Sequence, residues 1–355
     1  MTSINLALQG GGSHGAFTWG VLDAMLADER LAIEGISGTS AGAVNAVALA
    51  HGMAQGNGKP AQAREAARAS LARIWGEITT LGSLGTIQQS LFRFLTGGFS
   101  AEQAHTDLFA RAISQWVSPY QTNPLNLNPL RQILEREIDF EAIARLKSLK
   151  LFVSATHVST GKAEIFHGKR LTLDALLAST CLPMVFQAVE IDGEHYWDGG
   201  YSGNPALTPL INQCECADLV LVQINPIRRD GTPQSPGDIM DRVNELTFNA
   251  SLLSQMRSID FINRLLADGR LGKGEHGTPY KSVRLHRIDG GEALEQYPAS
   301  SKSSTEPAMI KKLFELGVAC TERWLRLHHD ALGVRSTVNL RRDYLDDMRI
   351  GGIAG

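Results

Sequence analysis

The amino-acid sequence predicts an α/β fold in which helices pack on a mostly parallel central sheet. Residues 4–9 form a short apolar run that ends in three glycines, and residues 16–26 then carry apolar side chains at helical spacing. The same order follows at once, with an apolar run at 33–37, a small-residue turn at 38–42 and an alanine-rich helical pattern to about residue 50. Strands and helices that alternate in this way are typical of parallel sheets.

The rest of the chain contains further strand and helix patterns. Residues 61–146 read as largely helical, with interruptions at 82–85, 97–98 and 118–129, so we expect a helical insertion over the sheet at about 55–148. Within the last interruption, residues 122–129 are the most loop-like part of the chain. Residues 219–224 are continuously aliphatic, as in a strand buried on both faces. Further strands are expected at 149–157, 163–166, 189–191, 195–197 and 282–288, and further helices at 238–266 and 307–328.

Composition limits the function classes. Hydrophobic residues make up 43% of the 355 residues, charged residues 20%, and the formal net charge is −3. This balance is typical of a globular protein and does not favour nucleic-acid binding, which usually needs a basic face. We expect no signal peptide, no membrane-spanning segment and a cytoplasmic protein whose four cysteines are reduced; peripheral contact with a membrane remains an alternative.

The first chemical motif is Gly38-Thr39-Ser40-Ala41-Gly42, a G-x-S-x-G sequence between a predicted strand and a predicted helix. Small residues on both sides of Ser40 allow a cramped turn that exposes its hydroxyl at a helix N-terminus. There the backbone N–H groups favour developing negative charge. Ser40 is therefore a candidate nucleophile, although a turn rich in glycine and serine can also match this pattern by chance.

The second motif is the glycine run Gly10-Gly11-Gly12-Ser13-His14-Gly15. Consecutive glycines after a strand can direct several N–H groups at one point, as an oxyanion hole requires. The run also fits a dinucleotide fingerprint. That alternative is less favoured, because the second strand leads into the Ser40 turn instead of ending at an acidic residue. We expect no cofactor, and no cysteine or histidine spacing indicates a metal site.

The candidate base is Asp198 in Trp197-Asp198-Gly199-Gly200, where a carboxylate directly follows a predicted strand. A partly desolvated carboxylate within hydrogen-bond reach can accept a serine proton. No histidine lies in a comparable motif; His157, His167 and His286 are more typical of structural positions. Asp-Gly-Gly alone is a weak signal, since Asp-Gly is common in turns.

The three motifs in this order resemble the patatin-like phospholipase family, and residues 178–186 are similar to its segment before the aspartate strand. The resemblance covers about 3–55 and 150–226. It implies a three-layer α/β/α fold and a Ser40–Asp198 dyad without histidine. It also implies an oxyanion hole among the N–H groups of Gly10, Gly11, Gly12 and Ala41.

The expected function is therefore hydrolysis of lipid carboxylic esters through an acyl-enzyme, as in phospholipase A or lysophospholipase enzymes. Transfer of the acyl group to another acceptor and a non-catalytic protein with the same fold remain alternatives. His14 departs from the family, which more often has arginine or lysine there, and could introduce pH sensitivity near neutrality.

Partners and organisation are the least defined predictions. The substrate is expected to be a lipid or another acyl ester, and the oligomeric state is unknown. Leu91, Phe92, Phe94, Leu95 and Phe99 form an apolar cluster that could cover the site or contact a membrane, although a buried helix fits the pattern better. One catalytic domain is expected over residues 1–335, followed by a poorly ordered tail at 336–355.

Overall fold

The computed structural model describes residues 1–56, 58–83, 118–271 and 280–345. The predicted apolar cluster at 91–99 therefore lies outside the described residues. The strands are β1 (Thr2–Leu8), β2 (Leu31–Gly38), β3 (Lys150–His157), β4 (Ala163–His167), β5 (Val189–Ile191), β6 (Glu194–Asp198), β7 (Asp218–Gln223) and β8 (Arg284–Asp289).

The longer helices match the predicted helical stretches, whereas the short helices at 173–179, 208–213 and 291–295 were not predicted. The helices are α1 (Gly15–Ala27), α2 (Ala41–Ala54), α3 (Pro60–Ser83), α4 (Pro119–Thr122), α5 (Pro129–Glu137), α6 (Phe140–Arg145), α7 (Leu173–Ser179), α8 (Thr208–Gln213), α9 (Pro236–Ala267), α10 (Gly291–Glu295) and α11 (Pro307–His328). Helix α11 has the predicted bounds. The short helix α4 lies in a stretch predicted to interrupt the helical pattern.

The strands form one sheet in the order β5-β6-β3-β2-β1-β7-β8, with β4 also paired to β3. Strands β3, β2, β1, β7 and β8 run parallel, whereas β4, β5 and β6 are antiparallel to their neighbours. The predicted, mostly parallel sheet is confirmed. Because β1 and β2 are adjacent and parallel, the turns that follow them lie at the same edge of the sheet.

Helices cover both faces of this sheet, which gives three layers. Ile4, Leu6 and Leu8 of β1 point to one face, where they join the core formed with α1, α2, α3 and α11. Ala7 points to the opposite face and joins the core formed with α8 and α9. This alternation follows from the two-residue period of a strand. The α/β/α architecture predicted from the resemblance is confirmed.

The described part of the C-terminal segment is bonded to the sheet. The backbone N–H groups of Thr337 and Val338 donate to Leu285 O of β8 at 3.1 and 3.3 Å. The hydroxyl of Tyr344, which is 9% exposed, donates to Gln223 Oε1 at 2.8 Å. Residues up to 345 therefore pack on the edge of the sheet that β7 and β8 form.

No helix in the described ranges combines the length and the apolar composition needed to cross a bilayer.

Candidate active site

Ser40 lies between β2 and α2, as the G-x-S-x-G motif predicts. Its backbone has φ 53° and ψ −124°, in the positive-φ region that is costly for a residue with a Cβ atom. Its N–H donates to Ser179 Oγ at 2.9 Å, and its own hydroxyl makes no capping bond to α2. The turn is therefore strained in the way expected of a nucleophile turn, and its hydroxyl is not used by the helix.

The register of the sheet places Asp198 opposite this turn. Gly38, the last residue of β2, pairs with Val153 of β3. Asp198 pairs with Ala155, two residues further along β3. Ser40 is likewise two residues beyond Gly38, so β3 aligns the two candidate residues although they are far apart in the sequence.

Asp198 is completely buried, and this determines its acidity. Burial raises the pKa of its carboxyl from 3.8 to about 7, although the N–H of Gly200 and the nearby Ser40 hydroxyl each act to lower it. The Gly200 N–H donates to Oδ1 at 2.7 Å. Oδ2 is buried and accepts no hydrogen bond of good geometry from the described residues. A buried carboxylate that has one oxygen without a hydrogen bond is a stronger base than a solvent-exposed carboxylate.

The glycine loop packs directly against the Ser40 turn. A Cβ atom on Gly10 would lie 2.7 Å from Ser40 Cβ and 2.8 Å from Thr39 O, so this position has no room for a side chain. Gly12 has φ 54°, and a Cβ there would collide with the backbone oxygen of Lys302. The run of glycines is thus required by close contacts on both sides and by a positive φ.

The backbone donors of this loop are not equivalent. The N–H of Gly10 already donates to Asn204 Oδ1 at 2.6 Å, which differs from its predicted role as an oxyanion donor. The N–H groups of Gly11, Gly12 and Ala41 have no acceptor among the residues that the structure describes. The geometry therefore leaves three of the four predicted donors available.

Buried amide side chains hold the glycine loop from behind. Gln9 Oε1 accepts from the backbone N–H groups of Ile224 and Asn225, both at 2.9 Å. Asn225 Nδ2 donates to Gly10 O at 2.7 Å. Asn204 and Asn225 are 0% exposed, so each amide is satisfied by protein groups. Motif reasoning missed these residues. For Gln9 and Asn225 the available signal was a polar residue directly after an apolar run, whereas Asn204 follows no strand directly.

Hydroxyl groups fix the strands around the dyad. Thr39 Oγ1 and Ser154 Oγ both donate to Gly203 O, at 2.6 and 3.0 Å. Thr156 Oγ1 donates to Asp198 O at 2.8 Å. These buried bonds connect the Ser40 turn to the segment that follows Asp198, which limits the relative movement of the two residues.

His14 is 2% exposed, and its Nε2 lies 2.8 Å from Ser301 Oγ. Burial, aided by the positive charges of Lys302 and Arg229, lowers the pKa of its imidazole to about 3. The side chain is therefore neutral through the whole physiological range. This corrects the expectation that His14 introduces pH sensitivity near neutrality.

The other described histidines do not complete a serine–histidine pair. His157 contacts Glu194, and the buried His286 contacts Asp218 at the opposite edge of the sheet. None of the histidines in the described ranges hydrogen-bonds to Ser40 or Asp198. The same ranges contain no cluster of three His, Cys, Asp or Glu residues able to hold a metal ion.

Comparison with known proteins supplies a family. The model of a family described as patatin-like phospholipase matches residues 6–211, which contain all three motifs. Comparison with curated proteins finds no match. Among solved structures, VipD from Legionella pneumophila is 15% identical, with 97% of this chain and 73% of that chain covered and a TM-score of 0.39. A chain of the full-length SpcU–ExoU complex, from the type III secretion system of Pseudomonas aeruginosa, is 12% identical, with 93% and 79% covered and a TM-score of 0.27.

Proposed function

The chain belongs to the patatin-like phospholipase family, and from this we propose that it hydrolyses lipid carboxylic esters with Ser40 as nucleophile and Asp198 as base. The proposal is supported by a strained, half-buried serine that lies near a fully buried aspartate whose pKa is raised to about 7. An aspartate of ordinary pKa is too weak a base to accept a serine proton efficiently near neutrality.

In the proposed reaction, Ser40 Oγ attacks the acyl carbonyl while its proton passes to the Asp198 carboxylate. The tetrahedral intermediate collapses when the bond to the leaving alkoxide breaks, and Asp198 returns the proton to that oxygen. Water then attacks the acyl-enzyme by the reverse order of proton transfers, which releases the fatty acid and restores the Ser40 hydroxyl.

The negative oxygen of each intermediate is assigned to the N–H groups of Gly11, Gly12 and Ala41. Two observations support this assignment. These N–H groups have no other acceptor among the described residues, and the glycine loop packs against the Ser40 turn. Donors preorganised in this way typically contribute about 3 kcal/mol each to stabilising the transition state. The Ala41 N–H also belongs to the first turn of α2, where the helix dipole favours negative charge.

The test is hydrolysis of a short p-nitrophenyl ester, followed by identification of the acids released from a mixed lipid extract. Ser40→Ala should abolish turnover and labelling by a fluorophosphonate probe, and Asp198→Asn should lower kcat by about 10²–10⁴-fold. Ser258→Ala, on the exposed side of α9, is the matched control and should leave both unchanged. Near-normal turnover by Asp198→Asn would rule out the dyad, and unlabelled wild-type Ser40 would favour a non-catalytic protein.

A further inference from the structure

A lysine far away in the sequence lies directly behind the glycine loop. Lys302 belongs to the 3-10 helix Ala299–Ser303, and its backbone oxygen packs against Gly12 so closely that a Cβ atom there would collide with it. Its ammonium group points inward and donates to Asn225 Oδ1 at 2.6 Å. The glycine loop therefore packs on the backbone of Lys302. It also faces the Asn225 amide, to which the Lys302 side chain is bonded.

The hydrogen bonds continue from this amide to the proposed oxyanion hole. Asn225 Nδ2 donates to Gly10 O at 2.7 Å. The Gly10 carbonyl and the Gly11 N–H belong to the same peptide group, so the chain runs from Lys302 through the Asn225 amide and this peptide to a proposed oxyanion donor. Each donor in such a chain polarises the next, and a charge at the start strengthens the donor at the end.

We propose that Lys302 is a positioning residue for the oxyanion hole: it holds and polarises the Gly10–Gly11 peptide through Asn225. This rests on the proposed function, since it assigns a role to Lys302 only if the glycine loop binds an oxyanion. Lys302 does not touch the substrate.

The charges around Lys302 fit this role. Glu245 and Asp241 face it from α9, Arg229 faces it from the segment after β7, and the neutral His14 faces it from the glycine loop. The Glu245 carboxylate is already shared by Arg229 at 2.7 Å and Arg242 at 3.1 Å. Among the described residues Lys302 therefore forms no ion pair within 4.0 Å, and its ammonium group bonds to Asn225.

The identity of residue 14 supports the same inference. Because His14 is buried and uncharged, the loop contains no cation of its own. Lys302 supplies a positive charge to the same loop from another part of the chain.

Titration of Lys302 gives a readout that a purely structural role would not produce. Burial lowers the pKa of its ammonium group to about 8, despite the opposing effect of Glu245. It is therefore charged at neutral pH and loses its proton as the pH rises through about 8. If its charge acts on the oxyanion hole, kcat should fall over that range in the wild type.

The experiment measures kcat and KM for p-nitrophenyl ester hydrolysis between pH 6 and 10 in the wild type and in Lys302→Met and Lys302→Arg. Lys302→Met should lower kcat by about 10-fold or more with KM changed less than about threefold, and should remove the decline in kcat above pH 8. Lys302→Arg keeps a permanent charge, so it should retain more activity than Lys302→Met and stay active to higher pH. The control is Lys281→Met, another partly buried lysine whose ammonium bonds to Cys214 O and Cys216 O far from the loop.

The possible results are distinct. A wild-type kcat without a decline above pH 8, together with normal kcat in Lys302→Met, would overturn the role of Lys302 while the proposed function stands. If Lys302→Met fails to fold, Lys302→Arg decides the question: an alkaline decline identical to that of the wild type would overturn the role. Absence of turnover by the wild type would instead remove the proposed function, and the role of Lys302 with it.

Discussion

Replacement of Asp198 by asparagine should make the protein more stable while it removes activity. In the folded state the pKa of Asp198 is raised from 3.8 to about 7, so the folded protein binds a proton between these values that the unfolded chain does not. Folding stability of the wild type must then fall as the pH rises from about 4 to 7 and level off above. Asparagine is similar in shape and never ionises, so it lacks this cost.

The stability gained by Asp198→Asn can be calculated from the raised pKa of Asp198. A difference of about three pKa units at about 1.4 kcal/mol each gives a cost of about 4 kcal/mol at pH 8. At pH 5 the folded wild type is largely protonated at Asp198, and the free-energy cost of burying this residue is then about 2 kcal/mol. The advantage of Asp198→Asn should therefore grow by about 2–3 kcal/mol between pH 5 and pH 8. Hydrogen bonds left unmade by the new amide would reduce both values equally, so the difference is the sharper quantity.

The assay is urea unfolding of the wild type and Asp198→Asn at pH 5 and pH 8. Asp218→Asn is the matched control, since Asp218 is also buried but its pKa is lowered by bonds from Arg284, Gly333 and His286, although burial acts to raise it. That substitution should destabilise the protein by about 2–4 kcal/mol, because it leaves the Arg284 charge without its partner. An Asp198→Asn advantage that is the same at both pH values, or a loss of stability at pH 8, would refute the proposed ionisation of Asp198.

Three further predictions concern activity. The value of kcat/KM should fall about tenfold per pH unit below a pKa near 7, because Asp198 acts in its ionised form; a flat profile from pH 5 to 8 would contradict this. Gly10→Ala should lower kcat at least about 100-fold by displacing the Ser40 turn, whereas Gly76→Ala, in open space on α3, should leave kcat unchanged. Ser179→Ala removes the acceptor of the Ser40 N–H and should cost about 1–2 kcal/mol in urea unfolding, together with a lower kcat; an unchanged kcat would show that the turn holds its shape without this bond.

Much of the fold is predictable because its signals are local. The first two strands and helices are each bounded by a glycine turn, and Pro307 at the first position of α11 marks a helix start. The hairpin of β5 and β6 follows from Asp192-Gly193, both of which have positive φ. The predicted interruption of the helical pattern at 118–129 was wrong at α4, where Ser118 and Gln121 form a capping box. The residues that follow form a turn in which the Asn123 side chain bonds to the backbone of Leu127.

The site is only partly predictable, for the same physical reason. Ser40, Asp198 and the glycine loop are recognisable because each needs small neighbours adjacent in the sequence. Asn204 and Lys302 act on the loop across roughly 190–290 positions of chain, and a single sequence contains no local signal for such contacts. The hydrogen bond from Gly10 to Asn204, which removes one predicted oxyanion donor, could likewise be found only in three dimensions.

The two buried aspartates explain why a dyad can work without histidine. Asp218 and Asp198 are 1% and 0% exposed, yet their pKa values are shifted in opposite directions. Asp218 begins β7 and is surrounded by Arg284, His286 and a backbone donor, which stabilise its charge and make it a poor base. Asp198 ends β6 with one bonded oxygen and Ser40 nearby, and no lysine or arginine of the described residues pairs with it. The bonds from Arg284 and His286, which have no counterpart at Asp198 among the described residues, therefore separate the two carboxylates. Lys302 must act on the oxyanion loop and not on Asp198 for the proposed chemistry to work.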